Sequence, residues 1–349
     1  MKIALIADTH WGIRNDSIFF HDTTKSFLDN IFFPHLKNEN IKTVIHLGDL
    51  VDRRKYINFL TSNRVRKDFL LPLQLMDIDT HIIVGNHDCF YKNTNEVNAL
   101  RELVAGKYNN IKIYSSTTEV EFDGLNILFV PWICEENKEE TFTKIKATNA
   151  QICMGHLELA GFQMYKGIVS AEGLSPKIFS KFDSVFSGHY HHRSNDGNIF
   201  YLGSHAEFTW SDYNDPRGFH VFDTKTRKLD FIENPYRVFR KIFYKGAETV
   251  KDEIDYSKSI VKIIVQNKDN PYLFDQFVES IEKQNPIELQ IVEDHLNLDV
   301  EENDSLVNEA ESTIDIFKKY IDITDISKND KNELQQVILD LYNEALTVG

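Results

Sequence analysis

The chain has 349 residues, a 42% share of apolar residues, a 27% share of charged residues and a formal net charge of −15. This composition is typical of a globular protein with one large or two ordinary hydrophobic cores, and the acidic balance argues against the usual basic type of nucleic-acid-binding domain. No stretch approaches the roughly 18 continuous apolar residues of a membrane helix, so we expect no membrane association.

The three cysteines, Cys89, Cys134 and Cys153, are odd in number and show no paired spacing. A framework of disulfides is therefore not expected, and a reducing compartment is favoured. The first predicted strand begins at the N-terminus, so we expect no signal peptide before it. Together these features predict a cytoplasmic location.

Five short apolar runs stop at a glycine or an aspartate, and residue types that bind metals follow at once. Short apolar runs bounded by glycine are typical of buried strands. In open α/β sheets, sites form outside the carboxyl ends of the strands, so these strand ends predict a single metal site assembled from the whole domain. The residues that follow the runs are, in order, Asp8 and His10, then Asp49, then Asn86, His87 and Asp88, then His156, and last His189 and His191.

Between these runs the pattern alternates strands and helices, as expected for an α/β domain over residues 1–245. An Asp-Gly pair between two alternating apolar runs is a strong signal for a hairpin. The predicted elements are helices at 23–37 and about 58–76, a hairpin formed by 118–122 and 125–130, and later strands at 199–203 and 218–223.

The character of the chain changes after residue 245. Residues 246–298 contain a predicted β-α-β unit, with strands at 259–265 and 286–292 and a helix at 272–284. We interpret this segment as a small α+β cap domain.

The last segment, residues 299–349, is an acidic tail with two predicted helices. It holds 13 Asp or Glu residues and 4 Lys residues. The second helix begins with a capping-box variant at Asp330 and Glu333 and then carries an apolar stripe from Leu334 to Ala345. Two interpretations stay open: the helices pack as a hairpin on their own domain, or the stripe docks on a helix of a partner.

Oxygen and imidazole donors without thiolate suit Mn²⁺, Fe²⁺, Zn²⁺ or Mg²⁺, and the number of histidines disfavours Mg²⁺ alone. Each motif by itself is weak evidence, because Gly48 with Asp49, for example, could form an ordinary helix cap. As an ordered set, however, the motifs supply too many ligands for one ion. Two ions about 3.5–4 Å apart that share a bridging carboxylate account for them, and such a pair clamps a phosphate during in-line displacement.

The ordered motifs D-x-H, G-D-x-x-D, G-N-H-D, G-H and G-H-x-H resemble those of the calcineurin-like metallophosphoesterase superfamily over residues 1 to about 225. Within it, the chain is most similar to SbcD-type DNA repair nucleases, and especially to the recombination endonuclease subunits of T-even-like phages. The resemblance implies a two-sheet α/β sandwich flanked by helices, with a small cap domain and a C-terminal helical tail. The narrower similarity is carried by residues 48–55, 131–137, 201–204 and 214–219.

The resemblance also implies a role for each site residue. His87 would assist phosphate binding and protonate the leaving oxygen as a general acid. Asp88 would orient the His87 imidazole or, in the alternative, cap a helix. Two divalent ions are implied, with Mn²⁺ favoured and Mg²⁺ as the alternative. Asp8, His10, Asp49 and His191 would hold the first ion, and Asp49, Asn86, His156 and His189 the second, with Asp49 bridging.

One position departs from many cellular members of the group. They carry a histidine three residues after the bridging aspartate, where this chain has Asp52. The phage branch resembles this chain at that position, so activity is still expected. The role of Asp52 stays open.

By this resemblance the protein is an exonuclease and endonuclease that hydrolyses phosphodiester bonds in recombination and double-strand-break repair. Its DNA substrates would be duplex ends and single-strand/duplex junctions. Clustered positive charge is limited to residues 53–55, 64–67 and 237–241. We therefore expect an SMC-like ATPase subunit, bound to the tail, to supply most of the DNA binding.

Two further implications have alternatives. Relatives form homodimers, and residues 57–60 with 69–71 could supply an apolar patch for one, although burial in the core explains these residues equally well. If the protein is phage-encoded, the host cytoplasm is its location. The alternative function is a phosphatase or phosphodiesterase of the same superfamily that acts on a smaller or protein phosphoester, because the G-D-x-V-D-R element at 48–53 is shared with protein phosphatases. A scaffold with a vestigial metal site is a third possibility.

Overall fold

The computed structural model of the chain describes residues 1–246, 249 and 254–293. The predicted tail helices of residues 299–349 lie outside this range, as does the end of the predicted cap domain. The division of the chain after residues 245 and 298 therefore stays a prediction.

Strands form at each of the five apolar runs and at the predicted hairpin. The first nine are β1 (Lys2–Ile6), β2 (Thr43–His46), β3 (Asp79–Ile83), β4 (Ile111–Tyr114), β5 (Thr118–Phe122), β6 (Leu125–Val130), β7 (Ile152–His156), β8 (Gln163–Tyr165) and β9 (Ile168–Val169). The others are β10 (Ser184–Gly188), β11 (Ser194–Asp196), β12 (Ile199–Tyr201), β13 (Gly218–Asp223), β14 (Leu229–Glu233), β15 (Phe239–Tyr244), β16 (Ile260–Val265) and β17 (Glu288–Glu293).

Two mixed six-stranded sheets contain the five runs. The first has the order β14-β13-β1-β2-β3-β4, and β1 to β4 run parallel within it. The second has the order β11-β12-β10-β7-β6-β5, in which β6, β7, β10 and β12 run parallel. Since neighbouring parallel strands end at the same edge of a sheet, each sheet presents several carboxyl ends together.

The two sheets share a hydrophobic core. Successive residues of a strand point to opposite faces, so Leu5 of β1 lies in the core between the sheets while Ile6 packs on the other side. Met154 of β7 lies in the same inner core, and its neighbour Cys153 packs in an outer cluster. The predicted two-sheet sandwich is therefore confirmed.

Helices cover the outer face of each sheet. α1 (Ile18–Phe27) continues into α2 (Phe33–Asn38) through a π-helical turn, and α3 (Phe59–Arg64) continues into α4 (Leu71–Leu75) in the same way. Each π turn comes just before a proline, Pro34 or Pro72, which cannot donate a helical N–H. The predictions at 23–37 and 58–76 are confirmed, with the first helix beginning five residues earlier than predicted. The other short elements are a distorted turn of helix at Ile13–Asp16, α5 (Ala99–Leu103), α6 (Lys138–Ala147) and 3₁₀ turns at Pro176–Phe179 and Trp210–Asp212.

A third, smaller sheet has the parallel order β15-β16-β17 and carries α7 (Pro271–Glu282) on one face. Phe274 and Phe277 of this helix pack with Val261 and Ile263 of β16 in a separate core. The predicted β-α-β unit is thus present, and its sheet already begins with β15, ahead of residue 246. Within the described residues, no helix has the length and apolar content needed to cross a membrane.

Candidate metal centre

The predicted ligands from both sheets lie together at the carboxyl ends of their parallel strands. Asp8, Asp49 and Asn86 follow β1, β2 and β3 of the first sheet. In the second sheet His156 is the last residue of β7, and His189 follows β10. The site therefore lies where the edges of the two sheets meet, which agrees with the position expected for open α/β sheets.

The backbone is strained at this position. Asp8, His10, Asp49 and His189 all have positive φ angles, of 52°, 42°, 56° and 91°. Such conformations cost about 1–3 kcal/mol per non-glycine residue, and the surrounding structure must enforce them. Here Asp8 N–H donates to Gly48 O and His10 N–H to Asp49 O, each at 3.1 Å. Strain of this kind, observed at several neighbouring residues, is typical of a functional site.

Two glycines of the motifs are required by close contacts. A Cβ atom at Gly48 would lie 2.4 Å from Nδ1 of His156, and one at Gly85 would lie 2.3 Å from Oδ1 of Asp49. No side chain fits at such distances, so the glycines allow the backbone to approach the ligands directly.

The first group of ligands contains Asp8, His10 and His191. Their donor atoms all lie within 4.8 Å of one another. Nε2 of His10 and Nε2 of His191 are only 3.0 Å apart. These are three of the four residues predicted for the first ion.

The second group contains Asp49, His156 and His189, again within 4.8 Å of one another. Oδ1 of Asn86 lies 2.8 Å from Nε2 of His156 and 3.0 Å from Nδ1 of His189. This set corresponds to the four residues predicted for the second ion.

Asp49 lies between the two groups. Its Oδ2 is 3.3 Å from Nε2 of His156 and 3.6 Å from Nε2 of His10. One carboxylate oxygen thus faces a ligand of each group, which is the position that a bridging carboxylate needs.

The donor set fits divalent cations. Nδ1 of His156 lies 2.8 Å from the carbonyl oxygen of Leu47, which can only accept, so Nδ1 carries the ring proton. In the neutral ring Nε2 then carries a lone pair and can only accept a hydrogen bond. It nevertheless faces two oxygen acceptors, Asn86 Oδ1 and Asp49 Oδ2. Only a proton or a cation relieves that arrangement.

The electrostatics favour positive charge at the same place. Burial alone would lower the pKa of the His156 imidazole, but Asp49 and Asp8 raise it to about 9. Burial alone would raise the pKa of the Asp49 carboxyl, but His156 and the other surrounding imidazoles hold it well below its usual range. Burial raises the pKa of Asp8 to about 6. Burial lowers the pKa of His189 to about 3, so this ring is neutral, as a metal ligand must be.

His87 lies at the rim of the first group, with its ring 4.8 Å from that of His10. Nδ1 of His87 lies 2.6 Å from the backbone carbonyl oxygen of Asp52 and so carries a proton in that contact. Burial lowers the pKa of the ring, against an opposing effect of Asp49.

The predicted role of Asp88 as the partner of the His87 ring is wrong. The buried Asp88 carboxylate instead accepts the backbone N–H groups of Gly85, Asp49 and Val51, at 2.9, 2.9 and 3.2 Å. Side-chain acceptors often fix tight turns in this way, and the sequence could not show which N–H groups converge. Asp88 therefore holds the loop of Asp49 against the loop of Asn86.

The structure shows the contacts of Asp52, whose role the sequence did not indicate. Its Oδ1 lies 3.4 Å from Nδ1 of His10, and its backbone carbonyl oxygen accepts a hydrogen bond from Nδ1 of His87. The Asp52 carboxylate favours the charged form of the His10 ring and so helps to raise its pKa against the effect of burial. The position of Asp52 three residues after Asp49 was the available signal.

The sequence did not indicate a buried ion-pair cluster that lies behind His191. Arg217 is buried and lies 2.7 Å from Asp212 and 2.8 Å from Asp215. It also donates to Ser204, whose backbone N–H donates to the carbonyl of His191. The cluster thus supports the His191 loop, which gives a physical reason for the motif at 214–219.

Comparison with known proteins agrees with this arrangement of motifs. The Calcineurin-like phosphoesterase family matches residues 1–193. Exonuclease subunit 1 of Enterobacteria phage T4 is 37% identical over 351 residues, which is 99% of each chain. The SbcD component of the nuclease SbcCD of Staphylococcus epidermidis is 25% identical over 318 residues, which is 78% of each chain. Among solved structures, an archaeal phosphodiesterase is 15% identical, with a TM-score of 0.34, over 67% of this chain and 100% of that one.

Replacement of Asp52 by alanine should weaken Mn²⁺ binding about 10- to 100-fold, because His10 loses the neighbouring carboxylate that raises its basicity. Isothermal titration with Mn²⁺ measures the effect. Asp52→Asn is the matched control, since it keeps an oxygen of similar shape near Nδ1 while removing the charge, and it should lose less affinity. Wild-type affinity in Asp52→Ala would contradict the assigned role.

Proposed function

The chain belongs to the calcineurin-like phosphoesterase family, and from that premise we propose that it is a DNA nuclease that uses two divalent metal ions. The family match covers more than half of the chain and contains every predicted ligand. The predicted enzyme class, a metal-dependent phosphodiesterase, is confirmed by this match together with the nuclease relatives. The substrate, the metal and the partners are the proposal.

The observation that carries the proposal is the position of Asp49 between two groups of ligands. Bound divalent ions supply Lewis-acid chemistry for phosphate hydrolysis. The groups of Asp8, His10 and His191 and of Asn86, His156 and His189 would hold them, with Asp49 shared. The preponderance of imidazole over carboxylate donors favours Mn²⁺ over Mg²⁺.

We assign phosphate binding and proton transfer to His87. Its Nδ1 is engaged by the carbonyl of Asp52, which fixes the orientation of the ring beside His10. The other ring nitrogen is then left to hydrogen-bond the phosphate and to protonate the leaving oxygen. Asp88 takes no part in this step, since its carboxylate is occupied by backbone N–H groups.

The names of the relatives support DNA as the substrate. The phage T4 protein is named as an exonuclease subunit and the staphylococcal one as a nuclease subunit, and the former aligns along nearly the whole chain. We therefore extend nuclease activity at DNA ends to this protein. Recombination and double-strand-break repair are the processes that this activity would serve.

The predicted basic clusters are partly neutralised within the fold. Arg53 pairs with Asp16, and Arg64 pairs with both Asp22 and Asp68. Because these guanidinium groups are already engaged, they contribute less to phosphate binding than the sequence implied. This supports a complex in which an SMC-like ATPase subunit supplies most of the DNA affinity. The apolar stripe of the tail, outside the described residues, remains our candidate for docking that subunit.

A homodimer is the second proposed assembly. Of the two segments considered for the patch, Phe69 and Leu70 are buried in the core, so they are not part of it. Phe59 is 93% exposed, and Tyr56 and Leu60 beside it are also exposed. Exposed aromatic and aliphatic groups at the start of α3 support an interface formed by this segment alone.

His87→Ala should lower the rate of Mn²⁺-dependent cleavage of end-labelled duplex DNA about 10²- to 10⁴-fold while Mn²⁺ binding is kept, because the variant removes the acid and not a ligand. The cleavage assay with Mn²⁺ or Mg²⁺ and a parallel Mn²⁺ titration check this. Loss of the ions in His87→Ala would make His87 a ligand instead. A wild-type enzyme that hydrolyses phosphomonoesters but not DNA would overturn the nuclease proposal.

Phe59→Glu should convert the dimer into a monomer, because it places a charge in the centre of the proposed apolar interface. Light scattering coupled to gel filtration gives the molecular mass. Leu75→Glu, at a residue that is 77% exposed but lies on α4, is the control and should leave the dimer intact. A monomeric wild-type protein would exclude this interface in the isolated chain.

A further inference from the structure

A pocket opens directly beside the second group of ligands, and nothing in the catalytic scheme uses it. It has a volume of about 310 Å³, and its walls include three apolar residues, Trp132, Ile133 and Leu174. Its polar groups include Glu135, Lys138 and Glu158. A volume of this order is at the lower end of the range for small-molecule sites.

Trp132 forms the wall between the pocket and the metal centre. Its ring centroid is 5.3 Å from that of His189 and 6.2 Å from that of His156. Glu158, on the same wall, places Oε1 4.0 Å from Nε2 of His189. A group bound in this pocket would therefore be next to a phosphate held at the second ligand group.

The backbone around Trp132 is held firmly. Its N–H donates to Val84 O at 2.8 Å. Its carbonyl oxygen accepts from Nδ2 of Asn95 at 2.7 Å and from Nδ2 of Asn137 at 3.0 Å. The side chain stays partly exposed although its backbone is fixed, so the indole is a pre-positioned surface beside the reaction centre.

The charges of the pocket indicate which part of a substrate it accepts. Glu135 and Glu158 outnumber Lys138, so a second phosphate would be repelled. A planar group with N–H donors suits the pocket better, since it can stack on the indole and donate to a carboxylate. Within a nucleic acid, that description fits a base.

We propose that this pocket binds the base of a nucleotide adjoining the phosphate that is hydrolysed, with Trp132 as its stacking platform. The proposal rests on the nuclease function proposed above. This binding role would account for the segment 131–137, which takes no part in holding the metal ions. The pocket would fix the position of the phosphate through its neighbouring base and so act on substrate positioning.

The test uses duplexes in which a single phosphate is left unprotected among phosphorothioates, so that cleavage occurs at one position. Three duplexes are compared: one with bases on both sides of that phosphate, and two in which the nucleotide on one side or on the other is abasic. Trp132→Leu keeps a large apolar group against His189 but removes stacking. It should lower kcat/KM about 5- to 100-fold on the fully base-bearing duplex.

The abasic duplexes separate stacking from simple packing. On one of the two abasic duplexes, the kcat/KM of the wild-type enzyme should fall by a similar factor. On that duplex Trp132→Leu should lower kcat/KM by less than about a further twofold. Trp132→Phe should recover most of the activity on the base-bearing duplex. Tyr272→Leu, at an exposed aromatic residue on α7, should match the wild type on every substrate.

Two results would overturn the proposal. One is an equal loss in Trp132→Leu on base-bearing and abasic duplexes, which would mean that the indole only covers His189. The other is no loss at all. Failure of the nuclease proposal is distinct from both, because the wild-type enzyme would then leave every duplex intact while still hydrolysing bis(p-nitrophenyl) phosphate.

Discussion

Three carboxylates are buried at the ends of β1, β2 and β3, and the rest of the structure must compensate their negative charge. Asp8, Asp49 and Asp88 are all at most 1% exposed. A buried carboxylate costs several kcal/mol unless opposite charge or hydrogen bonds compensate it. Asp88 accepts three backbone N–H groups, Asp8 accepts the backbone N–H of His189, and Asp49 accepts that of His87. Burial still raises the pKa of Asp8 to about 6 and that of Asp88 to about 7, so these two charges are only partly compensated. Divalent cations held by Asp8, Asp49 and the surrounding imidazoles would supply further positive charge at this edge.

The fold meets this requirement by bringing two sheets to one edge. Neither sheet alone holds a complete ligand set. The ends of β1 to β3 supply Asp8, His10, Asp49 and Asn86, while the ends of β7 and β10 supply His156, His189 and His191. Gly48 and Gly85 let the loops approach without a side chain between them. The Asp88 carboxylate then ties the Asp49 and Asn86 loops together.

Much of this arrangement could be predicted from the sequence, because strand ends and ligand types are local features. The five strands that precede the ligands and the hairpin follow from short patterns, whereas the division of the ligands into two groups came from the resemblance of the ordered motifs to a known family. The role of Asp88 could not be predicted, since it depends on which backbone N–H groups the loops after β2 and β3 bring together. For Asp52 the position three residues after Asp49 was a signal, but the two histidines that it contacts could not be predicted. The pairing of Arg64 with Asp22 likewise depends on how α1 and α3 lie side by side.

The central claim is that Asp49 bridges two ions, and anomalous X-ray scattering from crystals of the protein with Mn²⁺ tests it most directly. The account predicts two manganese peaks about 3.5–4 Å apart, one on each side of the Asp49 carboxylate. The first should lie among Asp8, His10 and His191, and the second among Asn86, His156 and His189. A single peak, or a second peak away from Asp49, would contradict the account.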